Sequence, residues 1–155
     1  MSFFTSEFEC KIDAKGRLVL PARIKVNLPE APGASAPGQP ANELVLRMGF
    51  EPNLILYPMG EFKKIQSKIS SLNEFLPENR ALKRNFFRSI AQIEMDSAGR
   101  ILIPKTFMKF ASLEKEAMVV GVGSSIEIWD PGVYQKHLIN NPEEYSQLAQ
   151  KLLDE

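Results

Sequence analysis

The residues able to do chemistry in this chain form a short set that occurs twice. Asp13, Lys15, Gly16 and Arg17 stand near the start, and Asp96, Gly99 and Arg100 stand later at the same spacing. An Asp-x-x-Gly-Arg turn can serve in two ways. Asp13 and Asp96 can accept bonds from nearby backbone N–H groups and pair with Arg17 and Arg100, which fixes a hairpin and does no more. The turn can also aim Arg17 and Lys15 at an anionic ligand. A planar guanidinium suits phosphate oxygens and guanine edges, and a two-stranded ribbon fits the DNA major groove. Spacing alone leaves both readings open. Gly16 and Gly99 serve either one, since the sharp turn requires a positive φ.

Other chemistry finds little support. With one cysteine and one histidine, the chain holds neither an internal disulfide nor a Cys/His metal set. Cys10 shares a strand face with Phe8 and Ile12 and reads as a small core residue rather than a nucleophile; His137 reads as a surface or packing residue. No phosphate loop, G-x-G-x-x-G, H-E-x-x-H or G-x-S-x-G motif occurs. The expectation is no catalysis, no cofactor, no metal and no small-molecule ligand.

The elements that must position the turns are themselves repeated. Cys10 to Pro21 aligns with Ile93 to Pro104, so that Leu18, Val19 and Leu20 recur as Ile101, Leu102 and Ile103. Leu44-Val-Leu and Met118-Val-Val then lead through Gly49 or Gly123 to Leu54-Ile-Leu-Tyr57 or Ile126-Glu-Ile-Trp129. Alternation of Phe8, Cys10 and Ile12 with charged residues predicts a half-buried strand, the turn follows, and Leu18 to Leu20 forms a second strand of a hairpin. Short helices are expected over Pro21–Leu28 and Pro104–Leu113, each opened by proline at the first helical position.

Between the copies, Phe62, Ile65, Ile69 and Leu72 predict one helix over Glu61–Leu72. Leu82, Phe86 and Ile90 predict a second after Pro77, with Arg80, Arg84 and Arg88 on another face and Lys83 beside them. That basic cluster reads as a solvated face or a seam with a neighbouring protomer, and less as a second phosphate surface. Asp130-Pro131 and Asn141-Pro142 open two closing helices, the last with Tyr145, Leu148, Ala149 and Leu152 as its apolar side. The stretch Pro29–Asn42, rich in Pro, Gly, Ala and Ser, reads as a mobile surface loop.

The chain has 155 residues, 44% of them hydrophobic, enough for one compact domain or two small ones. No apolar run approaches the ~20 residues of a bilayer span, and Glu7 and Glu9 follow Phe3-Phe4 too closely for a signal peptide. A soluble intracellular protein is expected. Nineteen Lys and Arg balance nineteen Asp and Glu, which excludes a wholly basic surface that coats nucleic acid indiscriminately. The balance is uneven along the chain. Residues 61–92 hold seven basic and three acidic groups, whereas residues 116–155 hold two and seven.

Taken together, Ile12-Asp-Ala-Lys-Gly-Arg-Leu with Pro21, Leu56-Tyr57-Pro58, Asn85-Phe-Phe-Arg88, Asp96-Ser-Ala-Gly-Arg-Ile-Leu-Ile-Pro104, Leu113-Glu-Lys-Glu116, Val120-Gly-Val-Gly123 and Ile126-Glu-Ile-Trp-Asp130 resemble the bacterial MraZ family over nearly the whole chain. The resemblance implies an α+β, β-rich fold of two tandem SpoVT/AbrB-like barrel modules, an internal pseudo-dimer with swapped hairpins. Residues 7–60 and 90–133 would be the modules, 61–89 a helical linker and 134–155 the closing helices.

It also implies a cytoplasmic, nucleoid-associated transcriptional regulator, typically a repressor of the division and cell-wall gene cluster that includes its own gene. Such a protein would bind short direct repeats in double-stranded DNA as a homo-oligomeric ring, without a membrane partner. The DNA-contact role falls on Arg17 and Arg100, with Lys15 in support, and Asp13, Gly16, Asp96 and Gly99 orient them. Lys15 has Ala98 as its counterpart, so the first copy should make the stronger basic contact. The loop Pro29–Asn42 is longer than the family's usual connector. A structural or protein-interaction ring on the same modules is the competing reading.

Overall fold

A computed structural model of the protein describes residues 3–28 and 43–154. The expected surface loop Pro29–Asn42 lies outside the described residues. The first copy contributes β1 (Glu7–Lys11), β2 (Arg17–Val19), α1 (Ala22–Asn27), β3 (Glu43–Met48) and β4 (Leu54–Pro58). Two helices follow, α2 (Met59–Ser70) and α3 (Pro77–Arg88). The second copy repeats the order with β5 (Ile90–Glu94), β6 (Arg100–Leu102), α4 (Lys105–Phe110), β7 (Glu116–Gly121) and β8 (Ile126–Trp129), and α5 (Pro131–His137) and α6 (Pro142–Leu153) close the described chain. The fold is α+β, built from two tandem repeats.

The repeats exchange strands. Six strands form one antiparallel sheet in the order β1-β7-β8-β4-β3-β5, and β2 and β6 form a separate two-stranded ribbon. β1 of the first copy pairs with β7 of the second, and β5 of the second pairs with β3 of the first. The expected hairpin is thereby corrected. Its turn forms, but only the Ile12–Leu18 bridge joins the two strands before they part to partners in the other copy. Hydrophobic alternation sets which face of a strand is buried and says nothing about which strand lies beside it.

Burial on both faces explains why the central strands read as nearly continuous apolar runs. Leu44, Leu46, Leu54, Leu56, Val119, Ile126 and Ile128 face the main core, which the ribbon and the short helices α1 and α4 cover through Leu18, Ile101, Ile24 and Phe107. The opposite face of β3 and β4 is covered by α2 and α3, with Val45, Ile55 and Tyr57 against Phe62 and Phe86. Over β7 and β8 the same role falls to α5, where Tyr134 packs on Met118 and Trp129. A sheet buried on both faces has no polar side to show.

Boundaries moved where prolines cap rather than begin helices. Pro21 and Pro104 are N-cap residues in extended conformation, so α1 and α4 are one residue later at the start and stop short of Leu28 and Leu113. The expected Glu61–Leu72 helix runs Met59–Ser70, and Ile90 belongs to β5 although its side chain still packs with the Phe62–Phe86 cluster. The caps expected at Asp130 and Asn141 are present: Val133 N donates to Asp130 Oδ2 at 3.1 Å and Glu143 N donates to Asn141 Oδ1 at 2.9 Å.

The apolar stripe of α6 is present but uncovered, with Tyr145 and Leu152 each about two-thirds exposed. Cys10 is half-buried against the main core, and burial pushes its thiol pKa up, which disfavours the nucleophilic thiolate. His137 lies on Trp129, ring centroids 4.8 Å apart.

Candidate nucleic-acid interface

Each Asp-x-x-Gly-Arg segment closes on itself in the same way. Asp13 Oδ1 accepts from the backbone N–H groups of Lys15 and Arg17, both at 2.9 Å, and its Oδ2 accepts from Arg17 Nε at 2.7 Å. In the second copy Asp96 Oδ1 accepts from Ala98 N at 2.9 Å and Arg100 N at 2.8 Å, and Oδ2 from Arg100 Nε at 2.8 Å. Gly16 and Gly99 turn the chain at φ of 87° and 77°. These bonds hold both carboxyls below their ordinary pKa of 3.8. The backbone N–H of Arg17 or Arg100 is the largest cause, offset in part by desolvation and reinforced by the arginine side chain.

The turn glycines also stitch the copies together. Leu20 N donates to Gly99 O at 3.0 Å, and Ile103 N donates to Gly16 O at 2.9 Å. Between these bonds β2 and β6 pair antiparallel, with Arg17 opposite Leu102, Leu18 opposite Ile101 and Val19 opposite Arg100. Leu18 and Ile101 point inward and are fully buried. The period of two then sets Arg17, Val19, Arg100 and Leu102 on the outer face. Two sites far apart in sequence become one surface with an internal two-fold relation.

The chemistry of that surface follows from what the arginines have left to give. An exposed Asp–Arg pair adds little stability, so its main effect is orientation. Nε is engaged, and among the described residues no hydrogen bond is made by Nη1 or Nη2 of either arginine. That end of the guanidinium is the fork that binds two acceptor atoms at once. Between the arginines, Val19 and Leu102 are about half exposed. Aliphatic side chains so placed can meet thymine methyl groups.

Sequence reasoning placed Asp13, Lys15, Gly16, Arg17, Asp96, Gly99 and Arg100 in the turns, and the structure brings all of them to one ribbon. It overlooked Val19 and Leu102. The signal was available: an outward aliphatic residue occupies the same position in both repeats, one step from a buried one. Arg80, Lys83, Arg84 and Arg88 lie elsewhere, on α3 over the β3–β4 face, and among the described residues none is in an ion pair. Arg80 Nη1 instead donates to Glu74 O at 2.9 Å.

A family model described as "MraZ protein, putative antitoxin-like" matches the chain twice, over residues 3–85 and 86–155. The chain belongs to the MraZ family. Its two matched segments meet within the last turn of α3, and each carries one Asp-x-x-Gly-Arg turn. Curated MraZ relatives agree along the full length. A protein of Cytophaga hutchinsonii named "Transcriptional regulator MraZ" is 53% identical over 99% of this chain and 96% of its own. Proteins of the same name from Christiangramia forsetii, at 34% over 94% and 90%, and Heliobacterium modesticaldum, at 33% over 97% and 97%, are similar as well.

Proposed function

We propose that this protein is a sequence-specific DNA-binding transcriptional regulator whose β2–β6 ribbon reads the DNA. The observation that carries this reading is the pair of arginines, each held by its own aspartate on the outer face of one ribbon with the guanidinium fork uncommitted. MraZ relatives bearing the name of transcriptional regulator support it. Lys15, beside Arg17, adds a charge at the first turn. Residues 7–60 and 90–133 act as the modules that build the ribbon, with 61–89 linking them and 134–155 available for assembly.

At the ribbon one protomer offers two or three basic contacts, and so few neutralised phosphates give weak binding with a shallow salt slope. Joining protomers in a ring raises the effective concentration of each ribbon at neighbouring sites, so short direct repeats are held tightly without new contacts. The acidic closing segment and the basic face of α3 are oppositely charged surfaces for such a homo-oligomer, and the exposed apolar stripe of α6 adds area to bury. Repression then follows by occlusion of a promoter, here that of the division and cell-wall cluster including the protein's own gene, in the cytoplasm at the nucleoid.

A gel shift across a salt series tests the reading, using duplex from upstream of the protein's own gene against scrambled duplex. The upstream duplex is bound more tightly, and Arg17→Ala with Arg100→Ala abolishes the shift. Equal binding of both duplexes, or binding that survives the double substitution, refutes it and leaves the protein-interaction ring.

A further inference from the structure

The two ends of the ribbon are surrounded differently, although the turns themselves match. Beside the first turn lies an open cleft of about 1060 Å³, to which five lysines contribute: Lys11, Lys15, Lys105, Lys109 and Lys115. Lys11 ends β1, Lys15 is in the turn, Lys105 and Lys109 lie one helical turn apart on α4, and Lys115 precedes β7. Three acidic residues also line the cleft, Asp13, Glu114 and Glu116. Asp13 is committed to Arg17, and among the described residues none of the five lysines is in an ion pair. The cleft is therefore net basic and its cations are uncommitted.

Among the described residues, the second turn has a different surround. Aligning the repeats puts Glu94 where the first copy has Lys11, Ala98 where it has Lys15, Ala22 where the other short helix has Lys105, and Val26 where it has Lys109. A cation does approach there: the side chain of Lys25 lies over Gly99. A two-fold related pair of arginines cannot by itself distinguish the two directions along a duplex. A basic cleft at one end can.

The geometry points to this cleft as a phosphate-binding wall of the DNA interface, so that the duplex continues past the ribbon on the first-turn side and each protomer sits on DNA with one polarity. The inference rests on the ribbon reading and extends it to Lys11, Lys105, Lys109 and Lys115. Phosphate contacts of this kind position a protein without reading sequence. They therefore add affinity equally to any duplex and show in the salt dependence. One polarity per protomer also suits sites repeated in the same direction rather than as inverted pairs.

The test compares the full-length protein with Lys105→Ala plus Lys109→Ala, both exposed on α4, where alanine keeps the helix. Binding of upstream and scrambled duplex is measured over a salt series. Lys63→Ala plus Lys68→Ala, on α2 and outside the cleft, makes the same change in net charge, and Arg17→Ala plus Arg100→Ala tests the ribbon. The cleft variant is expected to lower the log–log salt slope by about two and weaken both duplexes by about 10-fold or more at moderate salt. The α2 control leaves the slope in place.

An unchanged slope in the cleft variant, with binding still lost in the arginine variant, overturns this inference and leaves the ribbon reading standing. Equal loss in cleft variant and α2 control also overturns it, as an effect of net charge. A change of oligomeric mass at unchanged slope assigns the cleft to a protein contact and overturns it too. No binding of either duplex by the unaltered protein refutes the ribbon reading itself.

Discussion

Around the first turn stand Lys15 and the lysines of the neighbouring cleft, with Ile103 O close above Gly16; around the second stand Ala98 and Lys25, whose side chain lies over Gly99. Yet the hydrogen bonds inside the turns match bond for bond. The comparison separates two kinds of constraint. Groups that shape the turn are the same in both copies, because each shapes a backbone that the other copy's strand must meet. Groups that only add charge are free to differ.

Core substitutions at the ribbon should break this symmetry least and stability most. Leu18→Ala and Ile101→Ala each remove a fully buried side chain from opposite strands of the same pair. Each is expected to cost about 2–5 kcal/mol in denaturant unfolding. The two values should agree within about 2 kcal/mol of each other, the scatter seen among similar core sites. A large gap would show that one copy carries the fold.

Gly16→Ala and Gly99→Ala should separate the copies. Both force an L side chain into the left-handed region, at about 1–2 kcal/mol. At Gly16 the new Cβ would also stand 3.1 Å from the backbone oxygen of Ile103, whereas at Gly99 it would meet the end of Lys25, which can swing away. Thermal unfolding is expected to show the larger loss for Gly16→Ala.

Charge at the turns is the next difference. Lys15→Ala should weaken DNA binding several-fold, and Ala98→Lys should strengthen it by a similar factor, each shifting the salt slope by about one. If Ala98→Lys brings no gain, the second turn does not approach phosphate as the first does.

The smallest effect is in acid stability. The carboxyls of Asp13 and Asp96 titrate below 3.8 in the folded protein, so between the folded and unfolded pKa values the unfolded chain binds more protons. The stability they contribute is present above 3.8 and is lost as pH falls through the lowered values. Asp13→Asn and Asp96→Asn should therefore each make the fall in melting temperature between about pH 4 and about pH 2 shallower, and by equal amounts. Unequal flattening would show that the matched bonds differ in strength.

What could be read from the residues was local. The turns, the short strands, the caps at Asp130 and Asn141 and the apolar stripes all depend on neighbours within a few positions. Strand partners depend on distant segments, so the residues themselves suggested a hairpin of β1 with β2, and only the family resemblance implied the exchange. The stripe of α6 was legible as a stripe, but periodicity does not say whether anything covers it. Arg47 went unnoticed inside Leu44-Val-Leu-Arg-Met48. It is nearly buried, bonds Tyr57 Oη through Nε at 3.3 Å and Nη2 at 2.9 Å, and lies over the rings of Phe50, Tyr57 and Phe86. The signal was a lone cation amid aliphatics, with Phe50 close by in sequence and Tyr57 and Phe86 brought in from further along the chain.

The ribbon's two strands belong to one polypeptide. A half-length protein making the same ribbon would need two molecules to meet, and would lose it on dilution below their dissociation constant. Here closure is intramolecular, so the paired arginine turns persist at any protein concentration, however scarce the protein. A single gene for both strands also lets one turn mutate while the other stays as it was, a freedom that two identical chains do not have.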